Sequence, residues 1–255
     1  MAELDKLGLR SGKTLAPLVA GLPPEDCIPV KDEAGMEDVA GERDRATLER
    51  ALEEIRRLDL REQARKGLFD CETIEDEGLK LTIPSFGREI RIAMPEGRME
   101  VPEEIDSFSL RVLALRYIKL SSGMEVTGEW IAYRDLPGGK FYATTLVPTV
   151  EQPLARVFGY REGALTEAAA ALAGERAAYG DESFVFRAFP RVPLLVVLHR
   201  GDDEFPPSSR VLFDRCCSDY LNTDDLKILA TQLAAYLFKA AGAEEETRNL
   251  LWMVE

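Results

Sequence analysis

His199 is the only histidine in the chain, and Asp202, Asp203 and Glu204 follow it within five positions. An imidazole beside carboxylates can ligate a divalent cation or move protons near neutral pH. The apolar run Val192 to Leu198 reads as a buried strand and Gly201 breaks it, so His199 would stand at a strand end. Asp202 or Glu204 would be its partner on the following loop. Metal sites usually draw two or more imidazoles or thiolates, or carboxylates from separated segments. Consecutive acids on one turn point apart and favour water. The plainer account is a hairpin loop whose Phe205-Pro206-Pro207 packs back on the sheet. One histidine rules out three-histidine zinc sites and His-x-x-x-His helices. A Ser-His-Asp triad would have to use His199, and no Gly-x-Ser-x-Gly elbow is present.

A second constellation lies earlier. Trp130, Tyr133, Arg134, Lys140, Phe141 and Tyr142 gather around the Pro137-Gly138-Gly139 turn. Rings beside two cations, on a loop whose glycines admit close backbone approach, suit a planar or anionic organic ligand. The competing account is a hairpin with core aromatics and Arg134 paired to a nearby acid. Elsewhere, Gly8-Leu-Arg-Ser-Gly-Lys-Thr14 resembles a P-loop but has three residues where that motif needs four, and no strand precedes it. Cys27, Cys71, Cys216 and Cys217 make no Cys-x-x-Cys pair, so zinc-ribbon, thioredoxin-like and contiguous iron–sulfur spacings are absent. Scattered cysteines of this kind serve mostly as small buried hydrophobes. A disulfide between the adjacent Cys216 and Cys217 would be strained.

Composition narrows the partners. The chain has 255 residues, 32 basic against 46 acidic, for a net charge of −14. Such a surface repels phosphate backbones and anionic lipid, and no Lys/Arg run offsets it. Nucleic acid is therefore not an expected partner. No apolar run approaches the roughly 20 residues of a membrane span. The first residues lack a secretory apolar core, so a cytoplasmic location is expected.

These groups must be positioned by elements the pattern partly reveals. Residues 1–42, rich in proline and glycine with an acidic stretch, read as an extended arm or linker that could dock a partner protein. Residues 43–255 read as one α+β domain. Leu48, Leu52, Ile55 and Leu58 predict a helix over 43–58, and a short one follows over 60–66, closed by Gly67. Turn signals about ten residues apart predict a meander of strands near 68–73, 79–84, 88–93 and 98–101. A helix is expected over 108–120, then a turn-rich region over 124–149, then helices near 151–159 and 163–173. Strands at 183–189, 192–199 and 209–213 form a second antiparallel group. That makes six to seven short strands. Asn222-Thr223-Asp224-Asp225 caps a long C-terminal helix carrying Leu226, Leu229, Leu233, Leu237 and Phe238 on its apolar side.

Several segments together resemble a known family. They are Gly128-Glu-Trp-Ile-Ala-Tyr-Arg-Asp-Leu-Pro-Gly-Gly139, Pro153-Leu-Ala-Arg-Val-Phe-Gly159 and Pro190-Arg-Val-Pro-Leu-Leu-Val-Val-Leu198. Gly201-Asp-Asp-Glu-Phe-Pro-Pro207, Arg210-Val-Leu-Phe-Asp214 and Tyr220-Leu-Asn-Thr-Asp-Asp-Leu226 complete the set. In order and spacing they are similar to the uncharacterised domain of unknown function 3786 family, found mainly in anaerobic bacteria and archaea. The resemblance covers roughly residues 43–240 and implies a cytoplasmic protein of an anaerobe, with no activity to carry over. Some relatives join the domain to a cysteine-rich iron–sulfur module, for which this chain, with only Cys27 in its arm, lacks the cysteines. Relatives often carry tryptophan where this chain has His199, which argues against a required histidine.

The sequence thus points to a non-catalytic binding or accessory protein of anaerobic metabolism. It would hold an organic cofactor or metabolite, a tetrapyrrole such as a corrinoid being one example, against Trp130, Tyr133, Arg134, Lys140 and Tyr142. No residue is assigned a catalytic role and no cofactor is specified. The alternatives are a metal-dependent enzyme using His199, Asp202 and Glu204, and an interaction subunit docking through residues 1–42.

Overall fold

The computed structural model describes residues 33–74, 78–141 and 143–251. The P-loop-like stretch, Cys27, most of the arm and Tyr142 lie outside them. The chain divides into two units, residues 1–41 and 42–255, and every described strand belongs to the second.

Helix α1 spans Glu33–Arg56 and buries Leu52 and Ile55. Helix α2, Leu60–Gly67, starts where the Asp59 carboxylate accepts the Arg61 and Glu62 N–H groups. It closes on a left-handed Leu68 (φ 54°), not on the glycine itself. Gly67 is there for space: a Cβ would lie 2.5 Å from the Ser121 hydroxyl.

Four strands follow, β1 (Asp70–Thr73), β2 (Leu79–Ser85), β3 (Arg88–Met94) and β4 (Arg98–Glu100), paired in sequence order as the expected antiparallel meander. Leu81 faces Ile92 and Ile83 faces Ile90, so alternate positions build one apolar face. Helix α3 (Phe108–Leu120), capped by the Ser107 hydroxyl, buries Leu110, Leu113, Ala114, Tyr117 and Ile118.

The second sheet has order β5-β9-β8-β7-β6, with all pairs antiparallel. Its members are β5 (Trp130–Ala132), β6 (Glu175–Arg176), β7 (Glu182–Phe189), β8 (Val192–His199) and β9 (Ser208–Asp214). The central β8 is buried from Val192 to Leu198, as its unbroken apolar run requires when both faces are covered. The described strands number nine rather than six or seven. The extra ones, β5 and β6, have three and two residues, too few to show a period-two pattern.

Between β5 and β6 the chain forms a four-residue helix α4 (Ala143–Leu146), α5 (Gln152–Phe158) and α6 (Ala164–Ala170). A π-helical turn, Val147–Glu151, joins α4 to α5. Pro153 has no N–H and crowds the carbonyl four residues back, and the widened turn accommodates that. Helix α7 (Thr223–Ala240) is buried nearly all round, so it is a core helix, not a surface amphipath. A further helix, α8 (Glu244–Leu251), follows it, so the long helix is not the last element.

The Tyr117 phenol ties the parts together. It donates to the Gly67 carbonyl and accepts the Arg191 N–H, while its ring stacks on Phe189 at 4.7 Å and Tyr220 at 5.6 Å. Among the described residues, no helix is long and apolar enough to cross a membrane.

Candidate functional site

The residues singled out around the Pro-Gly-Gly turn do not form one cluster. Trp130 lies half-buried on β5, opposite Asp214 of β9, so the segment is an edge strand and not half of a local hairpin. Tyr133 is a core residue, 2% exposed, with its ring 6.0 Å from that of Phe213. No ligand can stack on it without opening the core. Arg134 points outward with Asp135 at 3.8 Å, and Lys140 is exposed. Tyr142 is outside the described residues.

What this segment builds instead is a wall. Short 3-10 turns at Tyr133–Asp135 and Gly139–Phe141 fold the chain back on itself. The Gly139 N–H donates to the Leu136 carbonyl at 2.9 Å. A Cβ on Gly139 would lie 2.0 Å from the Tyr133 carbonyl oxygen, so only glycine permits the approach. The Thr223 hydroxyl then donates to the Pro137 carbonyl at 2.6 Å, which fixes the turn against the start of α7. Between them is a cleft of about 400 Å³ whose walls include Pro137, Gly138, Ser218, Asn222, Thr223 and Asp224.

Asp214, at the end of β9, ties the start of this segment to the 3-10 turn that leads to α7. Its fully buried carboxylate accepts the Thr127 N–H and hydroxyl, the Gly128 N–H and the Cys216 N–H, at 2.6 to 3.1 Å. Burial pushes its pKa up, but these donors outweigh it and hold the group below the usual range. Arg215 pairs with Glu129 across the same junction. On α7, Asp225 is buried and pairs with Arg116, and burial raises its pKa against that pairing.

Cys216 and Cys217 are buried free thiols, 3.4 Å from the carbonyl oxygens of Arg191 and Pro193. Burial pushes the Cys217 thiol well above its ordinary value, which disfavours a reactive thiolate.

His199 stands exposed at the end of β8, opposite Ser208. Asp202 accepts the Glu204 and Phe205 N–H groups at 2.8 and 2.7 Å, closing an Asx turn. Its charge therefore serves the loop, and the Glu204 side chain is exposed. Among the described residues, no three His, Cys, Asp or Glu side chains converge as a metal site would need. Phe205 does not pack back as expected: it is 67% exposed, and Pro207 is the half-buried member of the trio.

A second cleft, of about 510 Å³, lies at the π-helical turn. Glu151 forms its floor, with only 7% of its side chain exposed, and accepts the Val211 N–H at 3.1 Å. Arg156, Arg210, Tyr160, Pro207 and Val147 surround it. Burial pushes the Glu151 pKa up, only partly offset by the Val211 N–H and by Arg210. Sequence reasoning missed Glu151 because one acid among 46 carries no mark of burial. The signal was local: Pro148 and Pro153 bracket it within a helical stretch.

The molecule is an α+β protein of two antiparallel sheets with helices packed on them. Its sequence matches the family described as domain of unknown function (DUF3786) over residues 61–236, and the chain belongs to that family. No curated protein and no solved structure matches it.

Proposed function

We propose that the chain is a non-catalytic binding protein that holds a metabolite-sized organic ligand in the cleft between the Pro-Gly-Gly turn and the start of α7. The observation that carries this reading is the convergence of two segments far apart in sequence, 127–139 and 214–225. They are fixed on one another by Asp214, Arg215 and Thr223. A volume of about 400 Å³ is in the range of small-molecule sites. The walls mix apolar surface from Pro137 and Leu221 with the polar side chains of Ser218, Asn222 and Thr223. Asp224 is their carboxylate, no cation among the described residues lines them, and Asn222 makes no side-chain cap bond to its own helix. Such walls favour a ligand rich in hydroxyl or amino groups over an anion.

The ligand reading thereby narrows from the one drawn on sequence. Tyr133 is committed to the core, and Arg134 and Lys140 are not among the wall residues, so a carboxylate-rich tetrapyrrole loses its expected contacts. Cytoplasmic residence in an anaerobe belongs to the same proposal. It is supported by the scarcity of cysteines, with Cys216 and Cys217 buried as packing residues, and by the family's distribution.

Native mass spectrometry of the protein purified anaerobically from its host tests the reading. A co-purifying small molecule should be present, and Ser218→Trp, which fills the cleft, should abolish it. An absorption spectrum on the same sample would show a corrinoid or haem directly. A chain that retains nothing, or a Ser218→Trp variant that retains the molecule, sinks the proposal.

A further inference from the structure

The cleft at the π-helical turn carries a site of different chemistry. Arg210 is 66% exposed and reaches Glu151 only at 3.4 Å, longer than the roughly 2.7–2.9 Å of a firm charge-assisted bond. Most of its donors are therefore turned outward. Arg156, also exposed, makes no ion pair among the described residues. Two cations on one cleft stand out in a chain of net charge −14. The Tyr160 ring is 71% exposed and Val147 is 37% exposed, so the cleft also offers apolar surface beside its cations. The π-helical turn is itself a rare local distortion that recurs at functional sites.

We propose that this cleft binds an organic carboxylate, with Arg156 and Arg210 on its anionic end and the Tyr160 ring against its body. Guanidinium forks match the planar carboxylate, and the aromatic wall matches an apolar body. Glu151 sets the selectivity. As a fixed negative group at the floor it opposes a doubly charged phosphate more than a single carboxylate, and it competes with the ligand for Arg210. When the ligand takes Arg210, Glu151 keeps the Val211 N–H and loses its one ion-pair partner. This site is separate from the cleft at α7 and does not rest on the reading given for it.

Titration of the full chain with 2-naphthoate, followed by fluorescence, is the test. The neutral 2-naphthalenemethanol serves as the uncharged arm, and inorganic phosphate and acetate as competitors for bound naphthoate. Arg156→Ala and Arg210→Ala should each weaken naphthoate about tenfold or more, the usual scale for losing a charged hydrogen bond. Arg156 is exposed and unpaired among the described residues, so Arg156→Ala should melt like the parent. Arg210→Ala also strips Glu151 of its ion pair and should melt somewhat lower without unfolding. Glu151→Gln keeps an acceptor for the Val211 N–H and should bind naphthoate more tightly. Ser218→Trp, at the other cleft, should leave this binding unchanged. The proposal is overturned if naphthoate does not bind, or if the neutral alcohol binds as well. It is equally overturned if phosphate displaces naphthoate at lower concentration than acetate does, or if the arginine variants bind normally. A Glu151→Gln chain that binds no tighter would refute the competition for Arg210, and with it the placement of the anion.

Discussion

Two buried carboxylates, Asp214 and Glu151, have opposite electrostatic fates. Asp214 is surrounded by donors, and its folded-state pKa lies below the unfolded value of about 3.9. Its contribution to stability is complete above that value and is lost as pH falls through the folded pKa. Asp214→Asn should cost about 2 to 3 kcal/mol at pH 7 by urea denaturation, and the gap to the parent should narrow in acid. Glu151 has too few donors to offset its burial, so its folded pKa lies above the unfolded value of about 4.3. The native state then holds the proton longer, and that contribution is full below the unfolded pKa and fades as pH rises through the folded one. Relative to Glu151→Gln, the parent should therefore lose stability as pH rises from about 4 towards neutrality. Parallel urea curves for the two chains would reverse that assignment. Neither fate was legible in sequence, because both depend on N–H groups from other segments: Thr127 for Asp214 and Val211 for Glu151.

At the scale of elements, long periodic segments were readable and short ones were not. Helices α3 and α7 and strands β7, β8 and β9 announce themselves by period and caps over seven or more residues. Strand β5 has three residues, and its pairing with β9 is a contact across some eighty positions. Without that pairing the sequence could not distinguish a core Tyr133 from a ligand-facing one. The turn beside it gives a sharp prediction. Gly139→Ala drives a Cβ into the Tyr133 carbonyl and should cost about 2 kcal/mol or more as overpacking. Gly138→Ala meets open space and bears only the strain of its left-handed φ of 75°, about 1 kcal/mol. Thermal melts of both chains check the order, and a Gly138 variant that proves the weaker would contradict the geometry.

Over the whole unit 42–255, both sheets and α7 share one continuous buried core. The Phe86 N–H crosses from the first sheet to the Arg187 carbonyl of the second at 2.9 Å. One cooperative unit should expose its thiols together. In a Cys27→Ser background, a thiol reagent should titrate one group, Cys71, in the native state and three after unfolding. Early reaction of Cys216 or Cys217 would mean that this core opens locally. The strand Val192–Leu198 that anchors it also carries a hazard of another kind. Apart from Pro193 it is a run of leucine and valine, the composition from which intermolecular β-stacks grow. The fold seats it at the centre of its sheet, with β7 and β9 satisfying both of its edges. The sheet's own outer edges are the two- and three-residue strands β6 and β5, too short to template another chain. Protection of this run from aggregation is thus carried first by β7 and β9, and any partly folded state that frees either strand would expose it.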